Sequence, residues 1–144
     1  MNKTKKTLLG FISILVIVFV TLTFALFLGY FDHGQFEVVQ ARWSAGRVAM
    51  LARRSDHQAL SGTETYVIIG DHIFSSHELR NAYYRQKELF SAESNCLNLS
   101  WSNSHTLVIS CRNGSINASN IGSQKHQAGD VAVVYENISD VMRR

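Results

Sequence analysis

The side chains of this chain best suited to chemistry are its six histidines, His33, His57, His72, His77, His105 and His126, with the carboxylates and hydroxyls beside them. The tightest grouping is Asp71-His72 with His77-Glu78, where imidazoles and carboxylates stand close enough in sequence to converge on a metal ion. No two histidines have the i, i+4 spacing of a helical zinc motif, and residues of these types also furnish turns and helix caps. Neither a metal nor another cofactor is therefore expected. Ser55-Asp56-His57 has the residue types of a nucleophilic group, yet it sits in a polar stretch and reads as a solvated loop. There is no G-x-S-x-G elbow, phosphate-binding loop or G-x-G-x-x-G turn, so an enzyme is not expected.

Cys96 and Cys111 are the only cysteines, and their spacing is not that of a C-x-x-C redox motif. Both lie in the part of the chain whose expected orientation, given below, places it in an oxidising space, so a disulfide is the expected state, and closing that loop would stabilise a small domain by roughly 3 kcal/mol. Asn98, Asn113, Asn117 and Asn137 each begin an N-x-Ser sequon, a sequence that Asn- and Ser-rich loops also produce by chance.

Whatever these groups do, the surrounding elements must hold them in place. Glu37–Trp43 and Arg47–Arg53 are apolar in alternation or short runs, and Ser44-Ala45-Gly46 between them supplies a tight turn, which predicts a β-hairpin. Thr65–Ile69 is β-branched and aromatic, and Gly70-Asp71 after it predicts a second, short hairpin returning through His72–Phe74. Ser75 and Glu78 have the form of a capping box ahead of a helix from about Ser76 to Phe90, with Leu79, Tyr83 and Phe90 on its apolar side.

Leu97, Leu99 and Trp101 alternate with polar neighbours, as do Leu107, Ile109 and Cys111, which predicts a third hairpin. If these six share one face, Leu97 lies opposite Cys111 and Cys96 does not. A register shifted by one residue would pair the cysteines but split the apolar set, and a β-bulge could reconcile the two. Residues 113–130 read as a long exposed loop, and Val131–Tyr135 as a final buried strand. The fold class these elements predict is α+β: antiparallel hairpins plus one helix.

Ahead of this domain, Leu8–Phe31 carries no charged residue and as a helix would span roughly 36 Å, enough for a single transmembrane crossing. The run is too long for a signal peptide, and cleavage near Thr23-Phe24-Ala25 would leave an apolar end. Lys3, Lys5 and Lys6 precede it, so the expected organisation is a cytoplasmic tail (1–7), a membrane helix (8–31) and a periplasmic domain (32–144) at the inner membrane. Thr21, Ala25 and Gly29 recur every four residues and form a candidate helix-packing face.

The net charge of +3 arises wholly from those three lysines; the rest of the chain balances its acidic and basic residues. That leaves no basic footprint for nucleic acid. The expected function is therefore a membrane-anchored, non-catalytic interaction module, self-associating or binding or protecting an envelope protein. The alternative is a small-ligand sensor or carrier with a pocket between helix and sheet lined by Tyr83, Tyr84 and Trp101.

Overall fold

The computed structural model describes residues 3–29, 34–55 and 63–141, with side chains described for 10–24 in the first of these stretches. The chain divides into two compact units, Met1–His33 and Gly34–Arg144.

The first unit is helix α1 (Lys3–Gly29). Its described side chains, 10–24, cover about 22 Å at roughly 1.5 Å per residue, short of the ~30 Å of a bilayer's hydrocarbon core. Among the described residues no helix is long and apolar enough to cross a membrane. This overturns the expected transmembrane helix at 8–31, and with it the inner-membrane, periplasmic location that rested on that crossing. Within α1, the hydroxyl of Thr21 donates to the carbonyls of Ile17 and Val18 at 2.8 and 3.0 Å. Ala25 and Gly29, the rest of the small-residue stripe, lie outside the described side chains.

The second unit is mostly β. Its strands are β1 (Gln35–Ser44), β2 (Arg47–Ser55), β3 (Glu64–Gly70), β4 (Phe90–Ala92), β5 (Leu97–Asn103), β6 (Thr106–Cys111), β7 (Ile121–Gln124), β8 (Gln127–Ala128) and β9 (Val131–Glu136), with helix α2 (Ser76–Tyr84) between β3 and β4. They form a five-stranded sheet in the order β1-β2-β3-β4-β7 and a four-stranded sheet in the order β5-β6-β9-β8. Ala49, Leu51, Val67, Phe90 and Ala92 of the first sheet pack against Leu97, Leu99, Leu107, Ile109, Val131 and Val133 of the second. On the outer face of the first sheet, Phe36, Val48, Met50, Ala52, Tyr66 and Ile68 pack against Leu79 and Ala82 of α2. Burial of each large side chain contributes roughly 1.5–3 kcal/mol, so two apolar layers hold the three tiers together.

The burial patterns follow from this layering. β2 reads Val-Ala-Met-Leu-Ala without alternation because both its faces are covered, whereas β6 and β9 alternate because only one of theirs is. The first hairpin turns at Ala45 and Gly46, whose φ values of 48° and 76° match the twist of the flanking strands.

The expected α+β class gives way to this mostly β fold for two local reasons. Helix α2 ends at Tyr84, six residues before Phe90, because Gln86 takes a left-handed φ of 53° and Leu89 donates its N–H to the Val67 carbonyl, carrying the chain back into the sheet. The segment 113–130, expected to be a loop, contributes strands β7 and β8. The short hairpin expected at Gly70-Asp71 is also absent. Both edges of β3 are taken, by β2 and β4, so His72–Phe74 has no strand to join. The β6–β9 pair is parallel, since the chain crosses to the other sheet at β7 between them.

β1 and β5 are edge strands of different sheets, joined through side chains. A bulge between Val38 and Gln40 turns Gln40 toward β5, where its Oε1 accepts from the Leu99 N–H at 3.1 Å and its Nε2 donates to Asn98 Oδ1 at 3.2 Å. Trp101 closes the same seam by donating Nε1–H to the Arg42 carbonyl at 2.8 Å. Two open edges are thereby covered, which removes a template for aggregation.

Candidate functional site

The capping box holds as read. Ser75 accepts from the Glu78 N–H, and Glu78 Oε2 accepts from the Ser75 N–H at 2.8 Å. The other carboxylate oxygen of Glu78 lies 2.9 Å from His72 Nε2, while His72 Nδ1 lies 2.6 Å from Asp71. Both ring nitrogens are thus engaged, and His72 has no lone pair left for a metal. Its two carboxylate partners, Glu78 first, raise its pKa; the Ser75 backbone N–H is the main cause that holds Glu78 down at about 2. His77 points elsewhere, toward Asn81. Among the described residues no group of histidine, cysteine and carboxylate side chains could hold a metal ion.

The remaining described histidines also face carboxylates. His105 Nδ1 lies 2.9 Å from Asp130, which takes Arg47 on its other oxygen at 2.7 Å, and His126 lies 3.2 Å from Asp140. His33, Asp56 and His57 fall outside the described residues.

Cys96 and Cys111 form a disulfide. The register keeps Leu97 opposite Cys111 and so preserves the apolar face. Cys96 stands one residue ahead of β5, free of the pleat, where its carbonyl accepts from the Arg112 N–H at 2.8 Å and its Cα lies 4.8 Å from that of Cys111. Neither a slipped register nor a bulge at that end is needed. The expectation of a disulfide derived from compartment stands instead on this local geometry.

The outer face of the first sheet carries the most unusual polar arrangement. Helix α2 is short and covers only part of that face. Past its last turn lies a cavity of about 300 Å³ lined by Glu64, Tyr83, Tyr84, Gln86, Glu88, Ser91, Gly122 and Ser123. Cross-strand register explains the assembly: Tyr66 pairs with Ser91, and Ser91 with Ser123, so these three occupy successive strands on one face. Gly122 is the extra residue where the β4–β7 register shifts, and a Cβ there would fall 2.6 Å from Ser91 Oγ and 3.4 Å from Glu64 Oε1. A larger residue there would displace the Ser91 hydroxyl.

Two residues that line this cavity each hold a buried oxygen with no hydrogen-bond partner among the described residues, Glu88 Oε2 and Ser123 Oγ, and Tyr66 Oη, in the layer beneath Tyr83, is a third such atom. Tyr66 is 0% exposed, its ring centroid lies 5.3 Å from that of Tyr83, and burial is the main cause that pushes its phenol up, with Tyr83, Glu64 and Glu88 acting in the same direction. Tyr83 is held from two sides, donating to Glu64 and accepting from Arg54 Nη1 at 3.0 Å. Burial and the Glu64 bond raise its pKa.

A larger groove of about 440 Å³ runs beside His72, Phe74 and Arg85, but there the acidic and imidazole groups partner one another. The smaller cavity is the one with unmet hydrogen-bonding capacity. Of the three aromatic residues expected to line a pocket, Tyr83 and Tyr84 do so, with rings 5.5 Å apart, while Trp101 belongs to the β1–β5 seam. Glu64, Tyr66, Glu88, Ser91, Gly122 and Ser123 were not legible as a group, because three separate strands and a loop bring them together. Comparison with family models, with curated proteins and with solved structures finds no match for this chain.

Proposed function

We propose that the unit 34–141 is a non-catalytic binding module that takes a small polar ligand in the cavity beyond α2. The observation that carries this reading is a cavity beside Gly122 lined by Glu64, Glu88, Ser91 and Ser123, of which Glu88 and Ser123 also hold a buried oxygen without a hydrogen-bond partner. An unmet buried polar atom costs about 1–3 kcal/mol, and a fold retains several in one place where an incoming molecule meets them. The absence of a catalytic role is supported by the histidines: among the described residues, His72, His105 and His126 each face a carboxylate and none faces a hydroxyl or thiol nucleophile. Thermal-shift screening of the full chain against small amines, alcohols, carboxylates and sugars tests the reading. A hit whose stabilisation disappears in a Glu88→Gln, Ser123→Ala double variant supports it; a hit that stabilises the variant equally contradicts it.

A second reading, docking on a partner protein or a second copy of the chain, is favoured by Val39 and Trp43, which are 45% and 55% exposed on edge strand β1. Sedimentation velocity over a range of concentrations, with Trp43→Ser as the comparison, tests it. A concentration-dependent assembly lost in the variant is the expected result for self-association.

A further inference from the structure

We propose that the open groove between α2 and the end of β3 binds a carboxylate on a short apolar stem, its charge held by Arg85 and Lys87. This site is separate from the cavity beyond α2, with which it shares no lining residue.

The backbone explains why two cations line one groove. Past α2 the Gln86 N–H donates to the Tyr83 carbonyl and the Lys87 N–H to the Ala82 carbonyl, each at 3.0 Å, with Gln86 left-handed at φ 53°. These two bonds make a Schellman motif, which folds Lys87 back over the last turn of the helix. The motif departs from its usual composition twice. Glycine is the common left-handed residue, and an apolar side chain commonly follows it where Lys87 stands. Left-handed residues that carry a side chain concentrate at ligand clamps.

The charges of the groove are matched at one end and open at the other. His72 lies between Asp71 and Glu78, and Glu78 also accepts from Ser75. Glu78 and Arg85 are seven positions apart along the helix, roughly 10 Å, so this group stands away from the basic end. Arg85 and Lys87 are exposed, and their side chains have no partner among the described residues. Between the two ends, Ile68, Phe74 and Ala82 form an apolar floor, which the aliphatic stems of Arg85 and Lys87 extend. At about 440 Å³ the groove admits a carboxylate with a stem of several carbons. An amine would meet two unpartnered cations, and acetate would leave the floor bare. Such a carboxylate comes either from a free acid or from the C-terminus of a peptide.

Titration of the full chain with ¹³C-methyl-labelled isoleucine tests the inference, with Ile68 reporting on the groove and Ile109, packed between the sheets, as the reference. Hexanoate is expected to shift Ile68 along a saturation curve and to leave Ile109 in place. 1-Hexanol and n-hexylamine are expected to bind about fivefold more weakly or worse, for want of the ion pairs. Acetate is expected to bind about tenfold more weakly, for want of the stem. An Arg85→Gln, Lys87→Gln double variant, whose fold far-ultraviolet circular dichroism checks, is expected to lose about fivefold or more in hexanoate affinity. No saturable shift of Ile68 with hexanoate, equally tight binding of any of the other three probes, or undiminished hexanoate binding by the double variant overturns the proposal. A final arm compares hexanoate with N-acetyl-leucyl-leucine. Tighter binding of the first assigns the groove to free acids, and of the second to a peptide C-terminus.

Discussion

Replacing Tyr66 with Phe removes one oxygen and leaves the ring, so its effect isolates the unpartnered hydroxyl. The residue is 0% exposed and its Oη has no partner among the described residues. Holding a buried hydroxyl unsatisfied costs about 1–3 kcal/mol. Phe keeps the ring contacts with Phe36 and Tyr83, at centroid distances of 6.3 and 5.3 Å. The loss is the dispersion of a single oxygen beside a cavity, a few contacts at about 0.1–0.2 kcal/mol each. The gain exceeds the loss, and Tyr66→Phe is expected to stabilise the free protein by about 1 kcal/mol, or roughly 4 °C in melting temperature. Urea unfolding followed by tyrosine-independent far-ultraviolet circular dichroism measures this, with the midpoint rising and the slope unchanged. Destabilisation by about 1 kcal/mol or more would refute the reasoning, because it would mean that the hydroxyl is satisfied in the folded protein.

Three other perturbations follow from the geometry. Changing both Cys96 and Cys111 to Ser opens a loop of 15-residue separation and is expected to cost about 3 kcal/mol, read as a fall of roughly 10 °C in calorimetry. Gln40→Ala strands the Leu99 N–H at the β1–β5 seam and is expected to cost about 1–3 kcal/mol in urea unfolding, whereas Gln40→Glu keeps an acceptor there and is expected to cost less. The His72 pair gives a pH signature. The pKa of His72 is raised in the fold, so its contribution is complete below the ordinary imidazole value of 6.5 and is lost as pH rises through the folded value. Glu78 is lowered to about 2, so its contribution is complete above the ordinary value of 4.5 and is lost as pH falls toward 2. Both are present between about pH 4.5 and 6.5, and ¹⁵N imidazole titration should place His72 above 6.5 in the wild type and lower in Glu78→Gln, where the largest raising cause is gone.

What the sequence made legible is what local chemistry determines. The first hairpin, its Ala45-Gly46 turn, the Ser75–Glu78 cap and the β5–β6 pairing all appear where the residue pattern put them, because each depends on neighbours in the chain. The disulfide was also legible, although its expected cause was the compartment and its actual support is the irregular backbone at Cys96. Tyr83, Tyr84 and Trp101 were expected together in a pocket between helix and sheet; the two tyrosines line the cavity past the helix, and Trp101 instead donates to the Arg42 carbonyl. The misses share a different physics. Strand β7 is Ile-Gly-Ser-Gln, without alternation or β-branched enrichment beyond Ile121, and it is a strand only because β4 offers it an edge. The end of α2 depends on a left-handed Gln86, which no propensity marks. Gly122 carried the one signal of the cavity that could have been used, since a lone glycine inside a strand often marks a close approach or a bulge. At the N-terminus an uncharged apolar run behind three lysines was read as a membrane crossing, and among the described residues no helix is long and apolar enough to make one.

The central claim is that the cavity beyond α2 is a binding site, and the tyrosines report on it directly. The chain has five: Tyr83 and Tyr84 line the cavity, Tyr66 packs behind Tyr83 with ring centroids 5.3 Å apart, and Tyr135 donates to the Lys125 carbonyl. With ¹³C-labelled tyrosine rings in the full chain, titration of a hit from the thermal-shift screen is expected to shift the resonances of Tyr83 and Tyr84 along one saturation curve and to leave Tyr135 in place. Saturable shifts at Tyr135 alone, or no saturable shift at any of the four, would contradict the assignment.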